Sequence, residues 1–222
     1  MKSVTMNEGK SKSIFVKICG TTNEEDALLC LAMGADAIGF VFAPSVRQVT
    51  ANHVSQIVRR LPADSLTIGV FKDESVEMIK ATIQECSLKG VQIHGDLSPQ
   101  EFSQVNDIVD FSIRAISATT TGQIFTSNHY KADAILLDSD IPGSGQVFDW
   151  EALEGADYGS KIIVAGGLNP HNVAQAIRTL NPWGVDAVSG LEASPGRKDP
   201  RKVRAFVKNA KEALTEIGGQ AE

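Results

Sequence analysis

Lys17-Ile18-Cys19-Gly20 ends an apolar run that begins at Ile14, and the polar turn Thr21-Thr22-Asn23 opens a helical segment directly after it. The same strand-then-helix unit recurs along the chain. Eight short runs rich in Val, Ile and Phe, each bounded by Gly or polar clusters, read as buried parallel strands at 14–18, 37–42, 66–71, 90–93, 111–116, 134–137, 161–164 and 185–188. Helical periodicity lies between them. Val54, Ile57, Val58 and Leu61 fall at i, i+3, i+4 and i+7, as do Val173, Ala176, Ile177 and Leu180, while Val76, Ile79 and Ile83 form a weaker stripe. A closing helix carries Val203, Phe206, Val207, Ala210 and Leu214 and is entered through Asp199 as cap and Pro200 at its first position. The fifth connection, 119–130, is polar and poorly periodic. An open doubly wound sheet would carry a Gly-rich fingerprint after the first strand, and none is present. The pattern therefore predicts an α/β fold, a single closed (β/α)₈ TIM barrel over 14–217, with a polar extension at 1–13 and a short tail at 218–222.

The 222 residues, 42% of them hydrophobic, suffice for one such core. A net charge of -6 with scattered cations argues against a nucleic-acid surface, since that binding needs clustered Lys and Arg. No apolar segment reaches the length of a membrane span. Three unevenly spaced cysteines, Cys19, Cys30 and Cys86, fit neither a disulfide framework nor a metal site, so a reducing, cytoplasmic location is expected.

In a barrel of this kind the chemistry collects on the loops after the strands. Cys19 stands at the end of the first strand, beside a turn where a thiolate would be stabilised and exposed; the alternative is a cysteine acting as a small hydrophobe. Cys30 and Cys86 fall within helical segments and read as core. Arg47, between Pro44 and a new helix, offers a planar fork for a carboxylate, unless it is merely solvated. His94 ends the fourth strand, where either a ligand or the backbone would satisfy it. Asp138 follows three aliphatic residues, a costly place for an unpartnered charge, so it either caps a neighbour or moves a proton. The glycine-rich 142–145 loop after it is a weak signal of a mobile segment. Gly166 and Gly167 follow the seventh strand, and Ser189 and Gly190 the eighth, the two loops that commonly hold phosphate in such barrels. Ser194, Pro195 and Gly196 are expected to add a helical turn facing the same anion. A phosphorylated small molecule is the expected ligand.

Taken together and in this order, these motifs resemble the phosphoribosylanthranilate isomerase family of tryptophan biosynthesis, over 16–202. The resemblance rests on Lys17 to Gly20 with Glu25, Asp26 and Ala27; Gly39 and Phe40 with Ser45, Arg47 and Val49; the 91–95 run; Leu137 and Asp138 with the 143–145 glycines; Phe148, Asp149 and Trp150; the 166–170 run; and Asp186 with Ser189, Gly190 and Glu192. It implies a barrel of the ribulose-phosphate-binding type that performs an Amadori rearrangement without metal or cofactor. Within it Cys19 matches the general base, Asp138 the general acid, Arg47 the receptor of the anthranilate carboxylate, and His94 a histidine near the same ring. Gly166, Gly167, Ser189 and Gly190 match the phosphate loops, and Asp186 a polar group facing the ribose. Pro142, Ala165 and Val188 depart from residues frequent in the family. The resemblance leaves monomer or homodimer open, and outward-looking Phe102 and Trp183 read equally as core or interface.

Two other readings compete. One is another phosphosugar barrel, such as an epimerase of a ribulose phosphate or an indole-forming lyase; the epimerase would need metal-binding His and Asp at several strand ends, whereas only His94 stands at one. A noncatalytic phosphate-binding module would tolerate change at Cys19 and Asp138.

Overall fold

The computed structural model describes residues 13–117, 128–138 and 161–218. The 1–12 extension, most of the fifth connection, the 142–145 loop, Phe148 to Trp150 and the last four residues of the tail lie outside the described residues. Eight parallel strands close into a barrel in chain order: β1 (Phe15–Ile18), β2 (Ala37–Val41), β3 (Leu66–Phe71), β4 (Gly90–Ile93), β5 (Phe111–Ser117), β6 (Ala134–Asp138), β7 (Ile162–Val164) and β8 (Gly184–Ala187). The first strand pairs with the last in register, with Lys17 opposite Asp186 and Ile18 opposite Ala187. That seam makes the sheet a barrel.

Side chains alternate across each strand with period two, and this sorts the apolar residues into two cores. Ala37, Ile68, Ile113, Ala134, Leu136 and Ile163 fill the barrel interior. Val16, Ile38, Phe40, Ile93, Leu137 and Val185 point outward and pack under the helices. At the amino-terminal end Phe15 stacks on Trp183 with ring centroids 4.5 Å apart, and Phe111 leans on both. Trp183 thus belongs to this aromatic floor.

The described helices are α1 (Glu24–Ala32), α2 (Ala51–Val58), α3 (Val76–Cys86), α4 (Pro99–Asn106), α5 (Val173–Leu180) and α6 (Pro200–Gly218). The side-chain oxygens of Asn23, Thr50 and Ser75 accept amide hydrogens from the first turns of α1, α2 and α3, which satisfies donors a helix start leaves orphaned. Asp199 caps α6 as expected, accepting the Arg201 amide at 2.8 Å. α4 lacks a long apolar stripe and is set instead by a capping box between Ser98 and Glu101, with Pro99 in the first turn. Only Phe102 and Val105 of α4 are buried. Phe102 is core, meeting Tyr130 edge-on at 5.6 Å; Tyr130 lies in a single 3₁₀ turn, Asn128–Tyr130, the described part of the fifth connection. The weak stripe on α3 proves fully used, with Val76, Ile79 and Ile83 all buried.

After β8 the chain differs from expectation. The helical turn is at Ser189–Leu191, and 194–196 instead forms the bend of a small antiparallel hairpin, β9 (Glu192–Ser194) with β10 (Arg197–Lys198). Gly196 adopts φ +79°, the left-handed backbone that lets Pro195-Gly196 reverse the chain.

Phe102→Ala removes a side chain with no solvent exposure. It is expected to lower unfolding stability by about 3–5 kcal/mol, read as a lower urea midpoint at unchanged slope.

Candidate active site

Cys19 directly follows β1, its amide extending the ladder to the Ala187 carbonyl at 3.0 Å. It is not exposed, as the turn beside it suggested, but 3% accessible. The packing is close enough that a Cβ on Gly39 would stand 2.6 Å from the Cys19 sulfur. Burial pushes the thiol above its ordinary range, while the ammonium groups of Lys17 and Lys198 pull it back.

Lys17 is a buried charge beside Cys19 that strand-end reasoning missed, because it lies one layer below the ends. Its side chain is wholly enclosed in the barrel and its Nζ donates to Asp186 Oδ2 at 2.9 Å, with exposures of 0% and 4%. Burial works against the ammonium, yet Asp186 and Cys19 outweigh it and its pKa rises. Asp186 in turn is raised by burial, against the pull of Lys17. Among the described residues its Oδ1 has no hydrogen-bond partner.

Arg47 is not solvated. Its Nε and Nη2 donate to the two carboxylate oxygens of Glu192, each at 2.7 Å, a fork-to-fork pair. Gly20 makes room for it: at φ +71° a side chain there would stand 2.7 Å from Arg47 Cδ and 2.9 Å from Val188 Cγ1. Glu192 also accepts the Gly196 amide at 3.3 Å and faces Lys198 Nζ at 3.5 Å. Lys198, buried, donates to the Cys19 carbonyl at 2.7 Å. The hairpin after β8 therefore ties Arg47 and Cys19 together, a link that no local sequence signal announces.

His94 follows β4, its amide held by the Phe71 carbonyl at 2.9 Å. The Gln92 amide nitrogen lies 2.7 Å from His94 Nε2; with the amide donating, the ring proton is on Nδ1. Burial, then Lys17, Arg114 and Lys72, push the imidazole down to about 4, so it is neutral at neutral pH. Arg114 donates to the carbonyls of Ile93 and Gly95, on either side of His94. Asp138 is the last residue of β6, in register with Ser117. Alternation places it on the face of Leu136, which lines the barrel interior, whereas Leu137 packs outward.

The loops after β7 and β8 meet. Gly166 and Gly167 both take left-handed backbone, φ +79° and +67°, and Asn172 braces them by donating to the Gly167 carbonyl at 3.1 Å. Gly190 sits so tightly over the Leu168 carbonyl that no side chain fits. Among the described residues no group of three or more His, Cys, Asp or Glu side chains could hold a metal ion.

The family model of N-(5'phosphoribosyl)anthranilate (PRA) isomerase matches residues 16–209. The chain belongs to the phosphoribosylanthranilate isomerase family. An N-(5'-phosphoribosyl)anthranilate isomerase of Pelobacter propionicus is 43% identical over 208 residues, 91% of this chain and 98% of that one. The crystal structure of the phosphoribosylanthranilate isomerase of Thermotoga maritima superposes with a TM-score of 0.82 at 36% identity, over 90% of this chain and 99% of that one. A phosphoribosylanthranilate isomerase solved with reduced 1-(o-carboxyphenylamino)-1-deoxyribulose 5-phosphate superposes at 0.80 and 35% identity, with the same coverage. The closed (β/α)₈ barrel predicted from the strand-helix repeat is thus the observed fold.

The depressed His94 has a consequence for stability. The folded imidazole stays neutral down to about 4, whereas the unfolded chain binds that proton near the ordinary 6.5. Its contribution is complete above 6.5 and is lost as pH falls toward 4. A His94→Leu variant is expected to lose less stability than the parent over that interval in urea titrations.

Proposed function

We infer that this chain is an isomerase that converts N-(5-phosphoribosyl)anthranilate to 1-(2-carboxyphenylamino)-1-deoxyribulose 5-phosphate in tryptophan biosynthesis. The observation that carries this reading is the family match across 16–209, nearly the whole barrel. The arrangement of the strand ends supports assigning the steps to particular residues.

Asp138 serves as general acid. It gives a proton to the furanose oxygen as the C1′–O bond breaks, and the anthranilate nitrogen lone pair forms an iminium. Cys19 serves as general base, taking the C2′ proton; the C–H pair becomes a C1′=C2′ double bond and the iminium pair returns to nitrogen. The resulting enolamine gains a proton at C1′ as its 2′-hydroxyl proton leaves, giving the ketose. Around the barrel β7 and β8 separate β6 from β1, so the phosphate loops at Gly166, Gly167, Ser189 and Gly190 stand between acid and base. A phosphate gripped there by backbone amides would hang the pentose between the two groups. Arg47 receives the anthranilate carboxylate through Nη1 and the outer edge of Nη2, the part of its fork that Glu192 leaves. His94 lies by the aromatic ring, and the unpartnered Oδ1 of Asp186 accepts from a ribose hydroxyl. A cytoplasmic location and a monomeric or homodimeric state complete the reading; no described helix is long and apolar enough to cross a membrane.

Anthranilate fluorescence tests the activity directly, since adding the protein to phosphoribosylanthranilate should abolish the substrate's signal. An unchanged signal would overturn the reading. Cys19→Ala and Asp138→Asn are each expected to lower kcat at least about a hundredfold, and near-normal turnover would remove that residue from the mechanism. Arg47→Ala should raise KM more than it lowers kcat.

A further inference from the structure

Cys19 is surrounded by more charge than a base-and-acid mechanism requires. Lys17 of β1, two residues away and so on the same face of the strand, lowers the thiol's pKa through its charge. Lys198 of β10 holds its carbonyl at 2.7 Å, and Arg47 crosses over Gly20 next to it. Against these three cations stand two carboxylates, Asp186 on Lys17 and Glu192 shared by Arg47 and Lys198. His94, which also faces Lys17, is neutral at neutral pH. Asp26 of α1 accepts the Lys198 backbone amide at 2.9 Å rather than its ammonium. A buried surplus cation next to a thiol disfavours the proton on sulfur.

We propose that Lys17 is a positioning residue for Cys19: anchored on Asp186 through one oxygen, its ammonium is the counter-ion that receives the thiolate. Three observations carry this. A lysine with no solvent exposure, in register with Ala37 of β2, cannot reach water and must find partners inside the barrel. One carboxylate oxygen at 2.9 Å satisfies one of its three hydrogens, which leaves others to point at sulfur. Gly39 lets Cys19 sit close against β2, where any larger residue would displace the sulfur. When Cys19 takes the C2′ proton it becomes a neutral thiol and Lys17 keeps all its protons, and Lys17 is not left unpaired because Asp186 still holds it.

The inference rests on Cys19 as the base and makes a claim that a purely structural ion pair does not, because the two partners act on Cys19 in opposite directions. Titrating the thiolate by its ultraviolet absorbance, as the difference between each protein and its own Cys19→Ala counterpart, cancels Cys30 and Cys86. Lys17→Met should move the Cys19 midpoint up by about one pH unit or more, roughly tenfold less thiolate at a given pH below it, and Asp186→Asn should move it down, since Lys17 then serves sulfur alone. The acid limb of kcat/KM should shift the same way in each. If Lys17→Met does not fold, Lys17→Met with Asp186→Leu replaces the pair with apolar groups and should still titrate above the parent, Lys17 being the stronger influence of the two. A midpoint unmoved by loss of Lys17, or moved in the same direction by both single substitutions, overturns the inference. Normal turnover by Cys19→Ala would instead remove the base assignment and leave the titration result standing, so the two failures are distinguishable.

Discussion

Lys17 and Asp186 meet at 2.9 Å across the seam where the first strand pairs with the last, with almost no access to water. Each charge is affordable in that interior only because of the other, and removing one partner of such a pair typically costs about 3–5 kcal/mol. The pair therefore does two things at once: it specifies how the ends of the sheet come together, and it puts a cation directly under the cysteine. An apolar pair at the same seam would close the barrel equally well but would leave the thiol with burial alone, which favours the protonated form.

A second buried ionic group lies one layer up. Glu192 grips the guanidinium of Arg47 with both oxygens and faces Lys198, and Lys198 returns to the Cys19 carbonyl. This chain of contacts runs from the loop after β2, through the hairpin after β8, to the end of β1. It fixes the direction of an arginine whose long side chain would otherwise sample many rotamers, and an oriented fork binds a planar carboxylate with less entropy lost. Glycine makes the arrangement feasible at two points. Gly20 gives Arg47 its passage, and Gly190 lets the loop after β8 lie on the Leu168 carbonyl.

Much of the site was legible because in this architecture position along a strand is already position in space. Cys19, His94 and Asp138 could be picked out as polar residues closing apolar runs, and the glycines after β7 and β8 as two loops that meet. Residues acting from other layers or other loops were not legible. Lys17 and Glu192 stand in the family motifs, but nothing adjacent to them in the chain names Asp186 or Arg47 as their partners, and Lys198 lies beyond a Pro195-Gly196 bend that reverses the chain into a hairpin. Leu137 precedes Asp138 in the chain but does not line its surroundings, because period-two alternation turns neighbours to opposite faces of a sheet.

What the amino-acid order determined by itself was the alternation of buried strands with amphipathic helices, hence the barrel, and with it the ring of strand ends on which the chemistry stands. Those are local properties, written in hydrophobic period and turn residues. The tertiary structure alone decided which charges meet. Lys17 and Asp186 are separated by 169 positions and Arg47 and Glu192 by 145, and only the closure of β8 against β1 brings such groups within a hydrogen bond of each other. The electrostatic surroundings of Cys19 are thus a product of topology, since a side chain's protonation depends on what lies near it in space and not on what precedes it in the chain.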